Sequence, residues 1–241
     1  MDSTTQSRLK KVLTDRLKAV EERIHAACRC AGRSRAEVIL VAVTKTISAE
    51  IAALLPQLGI LDLGESRPQE LWRKAAQLSK VAPSVRWHQA GHLQRNKIEA
   101  TLPLVHLIHS VDSIRLLNAL DQEAGKQQST AVVLLEVNVS REANKHGFSP
   151  AEIPGLVKPI AGLKHVQVAG LMTMAALESD TEHCRRTFAE LRQLRDRCRP
   201  DFPPPHDLCQ LSMGMTNDFE VAIEEGATLI RLGTVLFEGL A

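Results

Sequence analysis

The sequence predicts an α/β fold, a single (β/α)₈ TIM barrel with an extra helix at its N-terminus. Eight short apolar runs of strand length recur along the 241 residues, and seven stretches of helical periodicity separate them. Strands that alternate with helices form a parallel sheet, because parallel strands need a crossover connection. Such barrels typically have about 250 residues. We therefore expect residues 1–241 to form one barrel domain, with residues 1–31 as a helix packed on it.

The first two elements are a long amphipathic helix and a buried strand. Apolar residues recur every three or four positions from residue 7 to about residue 30, as they do on one face of a helix. Gly32 ends this pattern. Residues 38–43 then form a continuous apolar run rich in β-branched side chains, which predicts a parallel strand that is buried on both faces.

Seven further strands and seven helices follow in alternation. The strands are predicted at residues 60–63, 85–89, 105–110, 132–139, 166–171, 206–211 and 228–232. The helices are predicted at residues 49–58, 68–78, 94–102, 113–123, 150–160, 182–198 and 218–225. We interpret the proline-rich stretch 199–206 as a stiff connection between a helix and a strand. An open doubly wound sheet is the alternative, but no GxGxxG or P-loop motif follows any of the strands.

The charge balance argues against nucleic acids and membrane surfaces as partners. Thirty basic and 28 acidic side chains leave a net charge of +2, and no run of five like charges occurs. The N-terminal segment is polar where a secretory signal would be apolar, and no apolar run approaches the roughly 18 residues of a membrane span. We therefore expect a cytoplasmic protein without a membrane segment.

The cysteines and histidines predict no metal site. The five cysteines are odd in number and irregularly spaced, which is typical of reduced thiols. The histidines do not show a metal-ligand spacing such as HExxH. We interpret each of these histidines, His88, His92, His106 and His109, as an ordinary core or surface residue.

Lys45 is the first candidate for chemistry, because it closes an otherwise apolar strand. Active sites of such barrels lie at the carboxyl ends of the strands. A charged ammonium is disfavoured where it loses water, and a neutral amine there is a candidate Schiff-base nucleophile. The alternative is a lysine whose ammonium reaches solvent from the strand end.

Two loops near the C-terminus predict a phosphate site. Residues 212–218 combine Gly214 with hydroxyl groups and a helix start, and Gly233 and Thr234 open a turn after the last strand. Backbone N–H groups after the seventh and eighth strands form the usual phosphate site of such barrels. Two ordinary helix caps are the alternative. Arg231 points to the same end, where it either contacts a ligand or pairs with a carboxylate.

Seven segments resemble the pyridoxal phosphate homeostasis protein family, whose barrel is shared with the N-terminal domain of alanine racemase. They are AVTK (42–45), LGES (63–66), WHQAGHLQRNK (87–97), NVSREANKHG (138–147), GLMTM (170–174), LSMGMTND (211–218) and RLGTVLF (231–237). The resemblance extends from about residue 38 to residue 237, which is nearly the whole chain. The third and sixth segments are far more specific than a single lysine.

The resemblance implies a role for each candidate residue. Lys45 forms a Schiff base with pyridoxal 5′-phosphate, Arg231 faces the pyridine nitrogen and His88 lines the pocket. The residues implied to hold the phosphate are Ser212, Gly214, Met215, Thr216, Gly233 and Thr234. Ser66 lies near the cofactor ring, where the family usually has an asparagine, and Arg67 replaces a tyrosine. These two departures change the edge of the pocket.

By this resemblance the protein binds pyridoxal phosphate without catalysis and takes part in intracellular vitamin B6 homeostasis. The alternative is an amino-acid racemase of the alanine racemase type. Racemisation needs a base on each face of the ring, and that family takes the second from a tyrosine, which this sequence lacks entirely. The implied partners are pyridoxal phosphate and apo-enzymes that depend on it. We expect a monomer or a weak dimer.

Overall fold

Eight parallel strands form the centre of the protein. The computed structural model describes residues 2–142, 146–176 and 179–240. The strands pair in chain order and the last pairs with the first, which closes a barrel. They are β1 (Ile39–Val43), β2 (Asp62–Glu65), β3 (Arg86–Gln89), β4 (Val105–Val111), β5 (Ala131–Glu136), β6 (Val166–Met172), β7 (Gln210–Ser212) and β8 (Leu229–Leu232). The predicted barrel is confirmed.

Helices connect the strands on the outside. They are α1 (Ser3–Cys30), α2 (Ala49–Ala52), α3 (Pro68–Leu78), α4 (Ile98–Thr101), α5 (Ile114–Lys126), α6 (Val157–Ala161), α7 (Thr181–Cys198), α8 (Phe219–Glu224) and α9 (Thr234–Phe237). The short helix α9 was not predicted. Within the described residues, no helix is both long enough and apolar enough to span a membrane.

Three predicted helices are shorter by four or more residues in the structure. The helix predicted at residues 49–58 is divided into α2 and a 3₁₀ turn, Pro56–Leu58. A proline ring clashes with the carbonyl four residues earlier in a helix, so Pro56 is incompatible with a helix that continues from Ala52. The helices predicted at 94–102 and 150–160 also begin with 3₁₀ turns, Arg95–Lys97 and Ile153–Leu156.

Two strands differ from their predicted bounds by three or more residues at one end, and β2, predicted at 60–63, lies two residues later at Asp62–Glu65. The strand predicted at 132–139 ends at Glu136, because Asn138 N–H donates to Phe148 O, 2.9 Å away in its own loop. The strand predicted at 206–211 begins only at Gln210. Leu208 has a φ of +46°, which an extended strand does not accommodate.

The apolar core has two parts. One fills the barrel interior with Val41, Leu107, Leu134, Ala169, Met172 and Leu229. The other lies between the strands and the surrounding helices, where α1 buries Leu13, Leu17, Val20 and Ile24. Helix α1 packs on the helices near the C-terminus, since Arg16 donates to Leu236 O at 3.0 Å and Arg23 forms an ion pair with Glu220 at 2.6 Å. That the chain is one domain stays a prediction.

Candidate functional site

Lys45 lies at the carboxyl end of the barrel, in the turn that follows β1. Strand β1 ends at Val43, and Lys45 is exposed two residues later. The loop after β8 reaches the same strand end, since a Cβ atom on Gly233 would lie 3.1 Å from the carbonyl oxygen of Val43. The sequence therefore placed Lys45 correctly beside one of the two loops that it predicted for a phosphate site.

A buried ion pair holds the turn that carries Lys45. Lys74 Nζ on α3 is 2.6 Å from the carbonyl oxygen of Thr44 and 2.6 Å from Glu65 Oε1. The Thr44 hydroxyl donates to the same carboxylate oxygen at 2.5 Å. The side chains of Lys74 and Glu65 are each 1% exposed. Glu65 thus points out of the barrel towards α3 and fixes the backbone next to Lys45.

The loop after β7 curls over the first turn of α8. Gly214 has a φ of +94°, and a Cβ atom there would lie 2.6 Å from the Cβ of Ala222. Met215 N–H donates to Asp218 Oδ1 at 2.6 Å. This hydrogen bond lowers the pKa of Asp218, but burial outweighs it and raises the pKa. The loop requires glycine at position 214 for both its backbone conformation and its close packing.

The two C-terminal loops meet and leave N–H groups free. Val235 N–H donates to the Thr216 hydroxyl across the two loops, at 3.4 Å. In the described part of the chain, the backbone N–H groups of Thr216, Gly233 and Thr234 donate to no acceptor. Converging N–H groups of this kind can receive the oxygens of an anion. The structure thus brings together the residues that the sequence predicted for the phosphate, with Met215 and Thr234 exposed and Gly214 buried.

Arg231 is buried inside the barrel below these loops. Its guanidinium donates to the Ser212 hydroxyl and, at 3.1 Å, to the carbonyl oxygen of Thr173. Burial lowers the pKa of Arg231 to about 10, so the side chain stays charged at neutral pH. Among the described residues it forms no ion pair. The alternative that Arg231 simply pairs with a carboxylate is therefore not the arrangement found.

A chain of hydrogen bonds connects Arg231 to Asp62 through the barrel interior. Ser212 Oγ accepts from Arg231 and lies 2.8 Å from His109 Nδ1, to which it donates. His109 Nε2 is 2.9 Å from His88 Nδ1, and His88 Nε2 is 3.0 Å from Asp62 Oδ1. Arg231 has only donors and an ionised Asp62 has only acceptors, so the contacts fit a continuous chain in which each histidine accepts at Nδ1 and donates from Nε2. Burial, with smaller effects of His88 and Arg231, lowers the pKa of His109.

Asp62 is the anionic end of this chain. Burial alone would raise its pKa, but the hydrogen bonds from His88 and Arg86 outweigh that effect and lower the pKa to about 2. Arg86 binds Asp62 with two donors, at 2.8 and 2.5 Å. His88 is therefore held by two hydrogen bonds and is buried in the barrel interior, beneath the strand ends.

Ser66 lies at the carboxyl end of β2, half-buried, with Arg67 exposed beside it. The carbonyl oxygen of Ser66 accepts from Gln89 Nε2 at 3.1 Å. A Cβ atom on Gly91 would lie 2.4 Å from the same oxygen, so this approach requires glycine. In the NVSREANKHG segment, residues 143–145 lie outside the described residues.

Lys74, His109, Asp62 and Thr173 were missed as supporting residues. A lysine in the apolar stripe of α3, next to Leu71, Ala75 and Leu78, was a detectable signal for a buried charge. No such signal exists for His109, because only the closed barrel brings it to Ser212, 103 positions away.

Comparison with known proteins agrees with this geometry. Residues 16–240 match the family model for the N-terminal domain of alanine racemase. The pyridoxal phosphate homeostasis protein of Aquifex aeolicus is 39% identical over 225 residues, which is 92% of this chain and 96% of that protein. The structure of PipY of Synechococcus elongatus with PLP bound has a TM-score of 0.79 and 31% identity, and covers 93% of this chain and 99% of that one.

Alanine racemase of Clostridium difficile shares the fold alone. Its TM-score is 0.70 at 14% identity, and the match covers 92% of this chain but only 56% of the racemase chain. The Aquifex relative, by contrast, matches along almost its whole length. The chain therefore belongs to the pyridoxal phosphate homeostasis protein family, within the wider group that has the alanine racemase N-terminal domain.

Proposed function

We propose that this protein binds pyridoxal 5′-phosphate at the mouth of the barrel through Lys45 and serves intracellular vitamin B6 homeostasis without catalysing a reaction. The observation that carries the proposal is the meeting of the Lys45 turn with the Gly233 loop at the end of β1. The Aquifex relative is named for pyridoxal phosphate homeostasis, and PipY has been solved with PLP bound. Both support the proposal.

The chemistry of the donor set fits the cofactor. Lys45 offers an exposed primary amine, which condenses with aldehydes. The free N–H groups of Thr216, Gly233 and Thr234 suit phosphate oxygens. Arg231 adds a fixed positive charge beneath these loops. When bound, pyridoxal phosphate supplies an aldehyde and an electron-withdrawing ring.

Each residue then has one task. Lys45 would hold the cofactor through its aldehyde group, and Arg231 would offer its guanidinium to the pyridine nitrogen. The phosphate would be held by the loop residues Ser212, Gly214, Met215, Thr216, Gly233 and Thr234. The Ser212 hydroxyl itself is turned inwards to Arg231 and His109. Ser66 borders the pocket, and His88 supports it from the interior.

The same residues explain why we assign no catalytic residue. Arg231 cannot give up a proton to the pyridine nitrogen, so the ring stays a weak electron sink. Racemisation also needs a second base, and His88 and His109 are buried and held in hydrogen bonds. We infer that the cofactor is carried and delivered in the cytoplasm, with pyridoxal-phosphate-dependent apo-enzymes as recipients, by a monomer or weak dimer.

The test is to locate the cofactor on the chain. Purified protein loaded with pyridoxal phosphate is scanned for a visible absorbance band, reduced with borohydride, digested and examined by mass spectrometry. We expect the reduced adduct on Lys45, with no band in Lys45→Ala and an unchanged band in Lys97→Ala. A band that survives in Lys45→Ala, or an adduct on another lysine, would contradict the proposal.

A further inference from the structure

A cluster of possible metal ligands lies on the rim of the barrel at the ends of β3, β4 and β5. His92 follows β3, Asp112 directly follows β4, and His146 lies in the loop after β5. His92 Nδ1 is 3.1 Å from Asp112 Oδ2, and His146 Nδ1 is 3.9 Å from the same oxygen. One ligand atom from each of the three residues lies within 4.8 Å of the others. We call these three residues the rim cluster.

Glu136 is a second and independent observation at the same place. It is the last residue of β5 and is 8% exposed, yet among the described residues its carboxyl group has neither a hydrogen-bond nor an ion-pair partner. Glu136 interacts electrostatically with Asp112, His146 and His92, but its carboxyl oxygens are outside the group of ligand atoms that lie within 4.8 Å of one another.

We propose that the rim cluster, with the negative charge of Glu136 nearby, binds a divalent first-row transition metal ion. Imidazole nitrogen and carboxylate oxygen together are the ligands that zinc and non-haem iron take in proteins. Magnesium and calcium prefer oxygen alone, so two histidines disfavour them.

The side chains are free to reach ligand distances. The two imidazole rings are stacked with centroids 5.0 Å apart, and they are 45% and 68% exposed, so each ring can turn towards an ion about 2.0–2.1 Å from its nitrogen. Asp112 is held more firmly, because the Ser113 hydroxyl donates to its Oδ1 at 3.1 Å. That hydrogen bond leaves Oδ2, the oxygen next to both histidines, for the metal.

The rim cluster is separate from the Lys45 side of the mouth. In a closed barrel of eight strands, β4 lies opposite β8. Asp112 follows β4, whereas Gly233 follows β8 and lies next to the strand that precedes Lys45. An ion bound at the rim uses none of the groups assigned to pyridoxal phosphate, so this inference does not rest on the proposed function.

The test is a titration of the full-length, untagged, metal-free protein with Zn²⁺ in a calorimeter, repeated with Co²⁺ in a spectrophotometer. We expect one equivalent of Zn²⁺ to bind saturably. His92→Ala, Asp112→Asn and His146→Ala should each weaken binding at least about tenfold. Glu136→Gln should weaken it as well. Bound Co²⁺ should show the spectrum of nitrogen and oxygen ligands, without thiolate bands.

Two control variants separate the rim from the rest of the surface. His183→Ala removes an exposed histidine from α7, and Lys45→Ala removes the proposed cofactor lysine. Both should bind Zn²⁺ as the wild type does. The proposal is wrong if the wild type shows no saturable binding, if His92→Ala/His146→Ala binds equally tightly, or if Co²⁺ shows a thiolate spectrum.

Discussion

Lys74 Nζ on α3 lies 2.6 Å from the carbonyl oxygen of Thr44, and this hydrogen bond ties a helix outside the barrel to the residue directly before Lys45. The same ammonium pairs with Glu65, whose second carboxylate oxygen has no hydrogen-bond partner among the described residues. The position of the Lys45 turn therefore depends on a buried charge pair that does not itself reach the mouth of the barrel.

Removing one member of this pair should destabilise the protein strongly. Lys74→Met leaves the Glu65 carboxylate buried and unpaired, which typically costs about 3–5 kcal/mol. Urea unfolding should show that loss in the free energy of unfolding. The exposed Lys80→Met should change it by less than about 0.5 kcal/mol. The double variant Lys74→Met/Glu65→Gln should be more stable than Lys74→Met alone, and a double variant that is less stable would contradict this account.

Asp62 should make the stability depend on acid pH. Its pKa is about 2 in the folded protein and 3.8 as the reference value, so folding favours the ionised form. The contribution is present above about pH 4 and is lost as the pH falls towards 2, and it amounts to about 2 kcal/mol. Urea unfolding between about pH 6 and pH 2.5 should show a smaller slope for Asp62→Asn than for the wild type. The exposed Asp15→Asn should keep the wild-type slope.

Gly214 should tolerate alanine less well than another glycine with positive φ. Gly59 has a φ of +84°, and a Cβ atom there would meet no atom within 4 Å, so Gly59→Ala measures the backbone cost alone, about 1–2 kcal/mol. Gly214→Ala adds a contact of 2.6 Å with Ala222 and should cost about 1–3 kcal/mol more. If Gly214→Ala and Gly59→Ala lower the free energy of unfolding equally, the contact with Ala222 relaxes without cost.

Phosphate recognition should depend on the loop after β8. Gly233→Leu places a side chain against Val43 in the loop whose N–H groups are free, so it should weaken the binding of pyridoxal phosphate much more than that of pyridoxal. Fluorescence or absorbance titration with both ligands gives the ratio of the two dissociation constants. Gly155→Leu, in open space in the turn before α6, should leave the ratio unchanged. A proportional loss for both ligands in Gly233→Leu would contradict a phosphate role.

The protein should not turn over amino acids at an enzymic rate. Deuterium exchange at the α-carbon of L-alanine, measured with the loaded protein, should stay far below the usual range of about 1–10³ s⁻¹. A missing acid or base alone costs about 10²–10⁴ in rate. Slow exchange that disappears in Lys45→Ala, without inversion, agrees with a carrier. Exchange with inversion inside the enzymic range would establish a racemase instead.

Much of the fold could be predicted because it is encoded locally. The apolar composition of residues 38–43 is enough to predict a strand that is buried on both faces. The periodicity of α1 likewise predicts which of its side chains are buried. Lys45 could be found by counting two residues past such a strand. Two predicted bounds were wrong for local reasons. Helix α2 ends before Pro56, and β7 begins only after Leu208, which has a positive φ.

Sequence patterns alone specify the parallel barrel, the lysine after β1 and the two glycine-containing loops after β7 and β8, since each follows from residues that are neighbours in the chain. The folded structure was needed to show that Ser212 contacts His109, that Lys74 donates to the carbonyl of Thr44, and that His92 and His146 both lie next to Asp112. Periodicity states which face of an element is buried. Which distant polar groups then meet depends on strand register and on closure of the barrel, and neither is encoded in any single segment.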